Sequence, residues 1–462
     1  MVSFKGKKVL VMGLGLHGGA LAVVKWLLKH KAIISITDIK TTQQLKHSLD
    51  KVSKMPNSKK IKYTLGGHKL EDFINQDLII QNPGVPADSK YLSYARENNI
   101  PVINEAVMFF GLYPGSAIGV TGTRGKSTTS TLIHKILKTT IKTNVVAGNI
   151  ATYPMMEALT KLKVNSLPVL ELSSWHLELM DTYQVSPHIA VVTNVLNDHL
   201  NRYKSFNHYK EAKRAILKHQ VKSDKVVLNY DNSITRSFAK KSNGSVYYYS
   251  LNKKVKGVYL KNNKIYFNDS YVMDIDHIKL LGDHNLANIL AAICVAKIVG
   301  IKNDNIAKAI NSFKGIPYRL EYKTSIDNLK IYNDSTSTTP DASLAAISSF
   351  ADQKIILIAG GEDKNLDYSK LARKIKSKVA YTILLSGSGS DKLVKELNKL
   401  QYSKISKNIK TLKEAFNMAI SKSELAEVLL FSPAAASFNM FDNEFDRARH
   451  FDTLVYDKEK KK

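Results

Sequence analysis

The sequence predicts an α/β fold of three consecutive domains, and three observations support this prediction. The chain has 462 residues, which is enough for roughly three domains of about 150 residues each. Short apolar runs of strand type alternate with amphipathic runs of helical spacing, a βαβ pattern that implies parallel sheets covered by helices. Proline and glycine interrupt this pattern near 112–116 and 314–321. We therefore expect domains at 1–114, 115–316 and 317–462.

The individual elements follow from apolar runs that are bounded by turn residues. The predicted strands are 8–15, 32–38 and 77–86 in the first domain, 116–122, 168–174 and 188–194 in the second, and 355–361, 381–387 and 427–433 in the third. The predicted helices are 18–31, 283–300 and one that opens near Lys126.

The composition indicates an ordinary globular protein. Hydrophobic residues make up 44% and charged residues 23% of the chain, and no apolar run is long enough to span a bilayer. The N-terminus begins with a strand pattern and carries no signal-peptide core. A single cysteine, Cys294, excludes an internal disulfide and fits a reducing compartment. We expect a cytoplasmic protein.

The net charge of +28 raises the possibility of a nucleic-acid partner. However, the basic residues are mostly lysines spread along the whole chain, without a zinc spacing, a recognition helix or an RNA-binding aromatic motif. Small anionic substrates are therefore a better explanation of this charge than nucleic acid.

The segment GLGLHG (13–18) is a G-x-G-x-x-G sequence between a predicted strand and helix, and Asp38 follows at the end of the next strand. This pattern is typical of a dinucleotide-binding fold. Its physical requirement is only a set of backbone N–H groups and a helix N-terminus that face a diphosphate. A nicotinamide or flavin cofactor, a sugar nucleotide and plain packing all remain compatible with it.

The segment GVTGTRGKST (119–128) resembles a phosphate-binding loop but departs from the usual G-x-x-x-x-G-K-[ST] spacing. Val120 stands where the first glycine is expected, and Gly122 comes two residues later. The segment still connects a predicted strand to a predicted helix, with Lys126 to contact phosphate and Ser127 to reach Mg²⁺. It predicts a nucleoside triphosphate site, against the alternative of an ordinary polar turn.

Other candidate side chains follow predicted strands of the second domain. Glu171 ends one strand, and Asp198 and His199 follow another. A metal site and ordinary structural roles are both open for these residues, while Lys213 reads as a surface lysine. In the third domain, predicted strands lead into the loops 332–342, 359–371 and 429–451. Loops at this edge of an open α/β sheet often bind ligands, but ordinary connecting turns are equally compatible with these sequences.

These segments, in this order, resemble the Mur ligases of peptidoglycan synthesis. GVTGTRGKST is similar to the family's G-T-x-G-K-[ST], ELSSWHLE to E-L-S-S-F-Q-L-E, TNVLNDHLNRY to T-N-x-x-x-D-H-L-D-R, and GDHNLANILAA to G-x-H-N-x-x-N-x-x-A-A. The stretch SPAAASFNMFDNEFDRARHF is similar to S-P-A-x-A-S-x-D-x-F-x-x-F-x-x-R-G-x-x-F, which favours the glutamate-adding member. The D-N-P-R signature of the diaminopimelate- or lysine-adding member is absent.

The resemblance implies Rossmann-like N- and C-terminal domains around a central P-loop ATPase domain. It implies that ATP phosphorylates the carboxylate of UDP-N-acetylmuramoyl-L-alanine and that the amine of D-glutamate displaces the phosphate. The implied cofactors are ATP, two Mg²⁺ ions and a CO₂-derived carbamate on Lys213. The implied partners are these small substrates alone, without nucleic acid or membrane insertion, and the expected state is a monomer.

The resemblance also assigns roles to individual residues. The catalytic residues would be Lys126, Glu171, His199 and Lys213, and the metal ligands Ser127, Glu171, His199 and carbamylated Lys213. The nucleotide contacts would be Gly122, Thr123, Gly125, Lys126, Ser127, Thr128, Asn285, Asn288, Arg319 and Asp334. The UDP-substrate contacts would be Leu16, His17, Asp38, Lys40 and Asn149. The glutamate contacts would be Thr338, Lys364, Ser437, Phe438 and Phe445.

Four positions depart from the family pattern. Thr336 stands in place of a common lysine, Tyr318 of a histidine, Asn82 of a serine and His17 of a threonine. These departures bear on substrate specificity, so an L-glutamate-adding variant and a folylpolyglutamate synthase-like amide ligase are alternatives. A nicotinamide-dependent oxidoreductase and a non-catalytic nucleotide-binding regulator are the rivals outside ligase chemistry.

Overall fold

The structure is a computed structural model that describes residues 3–15, 18–86, 88–149, 153–163, 165–197, 202–350, 352–437 and 440–460. These residues form three β-sheets flanked by helices, which confirms the predicted α/β class. The chain divides into two compact units, Met1–His277 with Ala287–Asn311, and Ile278–Leu286 with Ser312–Lys462. The first unit contains two of the sheets and the second contains one.

The first sheet is five-stranded and parallel, in the order β3-β2-β1-β4-β5. Its strands are β1 (Lys8–Met12), β2 (Ile33–Asp38), β3 (Lys62–Leu65), β4 (Leu78–Gln81) and β5 (Val102–Ile103). Its helices are α1 (Gly19–Lys29), α2 (Lys46–Ser53), α3 (Lys90–Glu97) and α4 (Glu105–Leu112). Strands β1 and β4 are buried almost throughout, which is why the sequence shows them as continuous apolar runs.

The second sheet has nine strands, in the order β14-β13-β12-β11-β10-β9-β6-β8-β7. Its strands are β6 (Ile118–Thr121), β7 (Val146–Gly148), β8 (Val169–Glu171), β9 (Ile189–Val192), β10 (Lys225–Asn229), β11 (Ser245–Ser250), β12 (Gly257–Lys261), β13 (Lys264–Phe267) and β14 (Ser270–Asp274). Its helices are α5 (Lys126–Leu137), α6 (Met155–Leu159), α7 (Ser174–Thr182), α8 (Phe206–Lys218), α9 (Ser233–Phe238), α10 (Asp283–Ile298) and α11 (Asn303–Asn311).

Strands β12, β13 and β14 of this sheet pair antiparallel, whereas the others pair parallel. The βαβ pattern did not predict these two hairpins. The signal was in the turn between β12 and β13, where Asn262 and Asn263 both have positive φ, of 49° and 58°. Two residues of this conformation form the tight turn that suits an antiparallel hairpin.

The third sheet has six strands, in the order β15-β16-β20-β17-β18-β19, and only the β15–β16 pair is antiparallel. Its strands are β15 (Glu321–Ile326), β16 (Leu329–Asn333), β17 (Ile355–Gly360), β18 (Val379–Leu385), β19 (Ile405–Ile409) and β20 (Val428–Phe431). Its helices are α12 (Pro340–Ser348), α13 (Ser369–Lys378), α14 (Ser388–Lys399), α15 (Leu412–Ser421) and α16 (Glu444–Glu459). Apolar clusters cover both faces of the sheet.

Short 3₁₀ helices occupy Ser58–Lys60, Leu70–Phe73, Ala239–Lys241 and Ser423–Leu425. Across the described part of the chain, every helix is too short or too polar to cross a membrane.

Two buried polar side chains at the start of α4 join the first two sheets. Asn104 accepts a hydrogen bond from the backbone N–H of Val107 (3.0 Å) and donates to the carbonyl of His176 in α7 (3.0 Å). The Glu105 carboxylate accepts from the backbone N–H of Met156 in α6 (3.1 Å). Met156 itself belongs to the apolar core of the first sheet. The N-terminal sheet is therefore held on the second sheet by apolar packing and by specific hydrogen bonds.

A second polar contact between the first two sheets lies just after the carboxyl end of β4. Arg202 donates to the carbonyls of Gly84 (3.4 Å) and Val85 (3.2 Å). Its guanidinium also pairs with Glu178 (3.3 Å) and lies over the Trp175 ring (4.6 Å). A planar cation with five donors suits this combination of stacking and forked hydrogen bonding.

The buried carboxyl of Glu105 predicts that the stability of the folded protein depends on pH. Burial raises the pKa of Glu105 from 4.5 to about 7, against the opposing effect of the Met156 and Met155 N–H groups. The pKa of this carboxyl is thus about 4.5 in the unfolded chain and about 7 in the folded protein. The folded state is favoured by the protonated carboxyl, so this contribution to stability is complete below pH 4.5 and is lost as the pH rises through about 7. Glu105→Gln keeps the acceptor and cannot ionise, so it should be more stable than the parent at pH 8, by up to about 3 kcal/mol.

Urea unfolding of both proteins between pH 5 and pH 8 tests this prediction. The stability difference should grow with pH, while Glu97→Gln, at the exposed end of α3, serves as the control and should show little change. A difference for Glu105→Gln that stays constant across this range would contradict the prediction.

Candidate active site

The predicted phosphate loop lies between the buried strand β6 and helix α5, as the sequence indicated. Gly125 precedes the helix in the left-handed conformation and supplies no side-chain cap. The first N–H groups of α5 therefore have no capping side chain and face the loop with the positive end of the helix dipole. This arrangement is suited to binding a phosphate group.

The segment that follows β9 clamps the loop. The Asn194 side chain accepts from the backbone N–H of Arg124 (2.9 Å) and donates to its carbonyl (3.1 Å), and the Thr193 hydroxyl donates to the same carbonyl (2.6 Å). The N–H of Thr123 donates to the Asn194 carbonyl (2.8 Å). The loop is thus held in place by the two residues that follow the neighbouring strand β9. The sequence indicated only the aspartate and histidine of the motif TNVLNDHLNRY as candidate site residues, so the clamping role of Thr193 and Asn194 was missed.

Close contacts explain why the glycines stand at 122 and 125. Gly122 has φ of 151°, and a Cβ there would lie 1.8 Å from the Thr193 hydroxyl oxygen. Gly125 has φ of 82°, and its Cβ would lie 2.2 Å from the Asn288 side-chain oxygen. Val120, by contrast, is a fully buried strand residue. The positions of the glycines therefore follow from the close approach of Thr193 to residue 122 and of Asn288 to residue 125.

Two lysines bind the same carbonyl of this loop. Lys126 donates from Nζ to the carbonyls of Gly122 (3.0 Å) and Thr123 (3.2 Å). Lys213 donates to the Gly122 carbonyl (2.9 Å) and lies over the Tyr209 ring (4.8 Å). Lys213 is only 2% exposed, so its interpretation from residues alone as a surface lysine was wrong. The amphipathic helix α8 turns this residue towards the loop, together with the buried Ala212.

Glu171 is an almost fully buried carboxylate at the end of β8, beside Val120 of β6 in the sheet register. Its Oε1 accepts from the Asn149 side chain (3.2 Å). Its Oε2 is buried and has no hydrogen-bond partner among the described residues. A buried carboxylate oxygen is costly unless a donor or a cation compensates it. The position and chemistry of this oxygen therefore fit a divalent cation.

The other predicted metal ligands are only partly described. Ser127 lies in the first turn of α5 and is half-buried. His199, with Asp198 of the same motif, lies outside the described residues. Within the described residues no three His, Cys, Asp or Glu side chains cluster. The predicted set does not require such a cluster, because it also uses a hydroxyl and a modified lysine.

The predicted UDP-substrate residues organise the loop after β1. The Asp38 carboxylate accepts from the backbone N–H groups of Gly15 (3.1 Å) and Lys40 (2.9 Å). Asn82 donates to the Gly13 carbonyl (3.2 Å), so this departure from the family pattern also supports the loop. Leu16 and His17 lie outside the described residues. Asn149, predicted to contact the substrate, donates a hydrogen bond to Glu171, and its predicted substrate contact stays a prediction.

Three loops of the second unit meet at the carboxyl ends of β16, β17 and β20, and we call them the pocket loops: 334–338, 361–364 and 433–437. Lys364 donates to the Thr338 hydroxyl (3.0 Å), which brings two predicted glutamate contacts together. Backbone hydrogen bonds join Ala434 to Ser337 and Ala436 to Glu362. Phe438 lies outside the described residues.

The remaining predicted glutamate contacts lie next to the pocket loops. Ser437 is buried at the end of the third loop. Phe445 lies in the first turn of α16, with its ring 6.4 Å from the Tyr318 ring.

Asp334 and Thr336 support the chain that leads into β15. Asp334 accepts from the Leu320 N–H (2.9 Å) and from the Ser432 hydroxyl (2.6 Å), and burial raises its pKa to about 6. The Thr336 hydroxyl donates to the Tyr318 carbonyl (2.7 Å). Tyr318 and Leu320 have positive φ, of 65° and 47°, so these contacts hold a strained turn. Thr336 therefore uses its hydroxyl within the protein.

The predicted nucleotide contacts fall in both units. Asn288 lies with the phosphate loop and contacts the Thr129 hydroxyl (3.3 Å). Asn285 donates to the Leu281 carbonyl in the second unit (2.8 Å), and Arg319 is exposed there.

Comparison with known families explains this combination of sites. Three models match the chain: the MurD-like N-terminal domain of Mur ligases at residues 7–104, the Mur ligase middle domain at 120–296, and the Mur ligase glutamate ligase domain at 318–435. The chain belongs to the Mur ligase family. The resemblance inferred from the motifs is therefore confirmed along nearly the whole chain.

Curated relatives match over their full length. The UDP-N-acetylmuramoylalanine–D-glutamate ligase of Roseiflexus sp. (strain RS-1) is 34% identical, over 97% of this chain and 98% of that protein. The proteins of the same name from Clostridioides difficile (strain 630) and Lactococcus lactis subsp. lactis (strain IL1403) are 35% and 33% identical, over 97% and 98% of this chain and 98% and 97% of those proteins.

Solved structures share the Mur ligase fold. The UDP-N-acetylmuramate–alanine ligase MurC of Thermotoga maritima superposes with a TM-score of 0.65 at 21% identity, covering 99% of this chain and 100% of that one. The MurF ligase of Thermotoga maritima, in complex with ADP, gives a TM-score of 0.59 at 17% identity, over 98% and 96% of the two chains.

The clamp on the phosphate loop predicts a steric effect of Gly122→Ala. The added Cβ would displace the Thr193 hydroxyl or the loop itself, and the backbone strain at this φ costs about 1–3 kcal/mol. We expect lower stability and an affinity for a nucleoside triphosphate that falls at least about tenfold, since charge-assisted contacts would be lost. Gly111→Ala is the matched control, because its Cβ would meet no neighbouring atom. Equal affinities of the two variants in calorimetric titration would contradict this prediction.

Proposed function

We propose that this chain is an ATP-dependent cytoplasmic ligase that joins D-glutamate to UDP-N-acetylmuramoyl-L-alanine during peptidoglycan synthesis. The observation that supports this most directly is the clamped phosphate loop with Lys126, Lys213 and the unpartnered Glu171 oxygen beside it. The full-length relatives, named D-glutamate ligases, support the choice of substrates. The matched glutamate ligase domain agrees with it.

The chemical problem is that a carboxylate is a poor electrophile. In the proposed reaction its oxygen attacks the γ-phosphorus of ATP and ADP leaves, which gives an acyl phosphate. The amine of glutamate then attacks the carbonyl carbon, the tetrahedral intermediate loses phosphate and a proton, and an amide remains. Lys126, held on the loop carbonyls, offsets the negative charge that the two anionic reactants bring together.

Ser127, Glu171, His199 and Lys213 would hold Mg²⁺, which supplies Lewis-acid stabilisation of the phosphoryl oxygens when bound. Carbamylation of Lys213 by CO₂ would turn this buried cation into an anionic ligand. The modification would also remove one of the two ammonium groups that share the Gly122 carbonyl. Both effects favour a cation at the Glu171 oxygen.

Glutamate would bind the pocket loops through Thr338, Lys364, Ser437, Phe438 and Phe445. The family's usual lysine is replaced by Thr336, whose hydroxyl is already bonded to the Tyr318 carbonyl. The change therefore removes a cation without adding a competing ligand contact. D-Glutamate remains the proposed enantiomer, with L-glutamate the named alternative. We also propose the domains 1–114, 115–316 and 317–462, and a monomer.

The reaction itself is tested by measuring ADP release from ATP with each substrate omitted in turn. Turnover should require both UDP-N-acetylmuramoyl-L-alanine and D-glutamate, with lower efficiency for L-glutamate and D-aspartate. The Lys126→Ala variant measures the background rate of ADP release. Its turnover should be about 10²–10³ slower than that of the parent, because a preorganised charge contact is lost. Equal turnover without the UDP substrate, transfer of hydride to a nicotinamide, or a requirement for a folate in place of the UDP substrate would overturn the proposal.

The role of Lys213 is tested by chemical rescue. Lys213→Ala should lose most activity, and a short carboxylic acid or bicarbonate should restore part of it by supplying the missing anionic ligand. Lys218→Ala, at an exposed position of the same helix, should retain activity and should not respond to the added acid. A fully active Lys213→Ala enzyme would show that the residue has no such role.

A further inference from the structure

Arg447 is a buried cation that links two of the pocket loops. It lies in α16 and is 1% exposed. Its Nε and Nη2 donate to the hydroxyl (3.1 Å) and the carbonyl (2.8 Å) of Ser335. Its Nη1 and Nη2 donate to the carbonyl of Ala435 (3.2 and 3.3 Å). A single guanidinium therefore joins the loop after β16 to the loop after β20.

These two loops carry the side chains that the proposed function assigns to glutamate. Ser335 is three residues before Thr338, and Ala435 is two residues before Ser437. The loops are also joined by the hydrogen bond from the Ala434 N–H to the Ser337 carbonyl (2.9 Å). Ala434 has φ of 61°, an uncommon conformation for a residue with a side chain. The arrangement persists because bonds such as those of Arg447 fix both loops.

The charge of Arg447 is compensated only in part, by the electrostatic attraction of the Glu444 carboxylate one turn earlier in α16. All four hydrogen bonds go to neutral oxygens, and among the described residues no carboxylate lies within ion-pair distance of it. Burial lowers its pKa to about 10, so it stays protonated at neutral pH. A buried charge without an ionic partner is costly. A dicarboxylate ligand in the adjacent loops would offset that cost.

We propose that Arg447 is a positioning residue for the incoming amino acid: it fixes the two pocket loops and supplies the buried positive charge that favours a dicarboxylate there. This inference rests on the proposed function and extends it. The motif stretch 432–451 contains this arginine, but its resemblance to the family gave it no role. Its effect should appear in the binding of glutamate, because its bonds all lie within the second unit.

The test compares Arg447→Met and Arg447→Lys with the parent enzyme. Arg447→Met removes both the charge and the planar set of N–H donors that bonds Ser335 and Ala435. The KM for glutamate should therefore rise about tenfold to a hundredfold, the equivalent of one or more charge-assisted hydrogen bonds. Arg447→Lys keeps the charge without the planar fork and should show a smaller rise. The kcat at saturating glutamate, and the KM values for ATP and the UDP substrate, should stay within about threefold. A residue that only positions the glutamate pocket stabilises bound glutamate equally in the ground state and the transition state, so its loss changes KM and not kcat.

Arg449→Met is the matched control, because Arg449 is an exposed arginine of the same helix that pairs with Asp446. It should keep the parent values. An unchanged glutamate KM in a folded Arg447→Met protein would overturn the inference, as would parallel losses in kcat and in all three KM values. If the Met variant does not fold, Arg447→Lys decides, and a parent-like glutamate KM in it would overturn the inference. A parent enzyme that does not use glutamate would instead refute the proposed function.

Discussion

The geometry of the proposed phosphate site depends on the backbone of Gly122. Its carbonyl accepts hydrogen bonds from both Lys126 and Lys213, and its α-carbon lies so close to Thr193 that no side chain fits. These two facts constrain each other. Lysines that bond a backbone carbonyl have fixed ammonium positions only if the backbone is fixed, and the Thr193–Asn194 clamp fixes it. Such preorganisation lets charge act on a reacting phosphate without reorganisation at the moment of reaction.

The same reasoning extends to the joint between the first two sheets. Asn104 and Glu105 bond to α7 and α6, and α7 directly follows the strand that ends in Glu171. The N-terminal sheet is therefore attached to the element that carries the candidate metal ligand. Apolar packing alone, here through Met156, is non-directional and would permit sliding. Buried hydrogen bonds have a required geometry, so they fix the orientation of the first sheet relative to the phosphate loop of the second.

The sequence predicted those features whose signal is local. Buried parallel strands appear as apolar runs, and the strand–loop–helix unit appears as a glycine-rich motif. Contacts between distant segments were not predictable in this way. The burial of Lys213 depends on α8 packing beneath a loop 91 residues earlier, and its own segment looks like an ordinary amphipathic helix. Asp334 was predicted as a nucleotide contact, and Thr336 was noted only as a replacement of a common lysine. Their bonds to Leu320 and Tyr318 add a structural role, the support of a strained turn, that the motif did not indicate. Arg447 matched an arginine of the C-terminal motif, but the motif gave it no role, because its partners are backbone carbonyls and a common hydroxyl.

The ability of this protein to attract anions at defined places depends more on where its cations lie than on how many it has. The net charge of +28 arises mostly from exposed lysines, whose attraction for a distant anion is screened within about 8 Å at physiological salt. Lys213 and Arg447 are both buried and both bonded to backbone carbonyls. Burial reduces screening, and the carbonyl dipoles hold the charge in place. Among the described residues, each unit thus has a buried lysine or arginine: Lys213 lies beside the loop proposed for the nucleotide, and Arg447 beside the loops proposed for a dicarboxylate. Because a buried cation is costly without an anion, both positions are more readily explained by ligand binding than by stability.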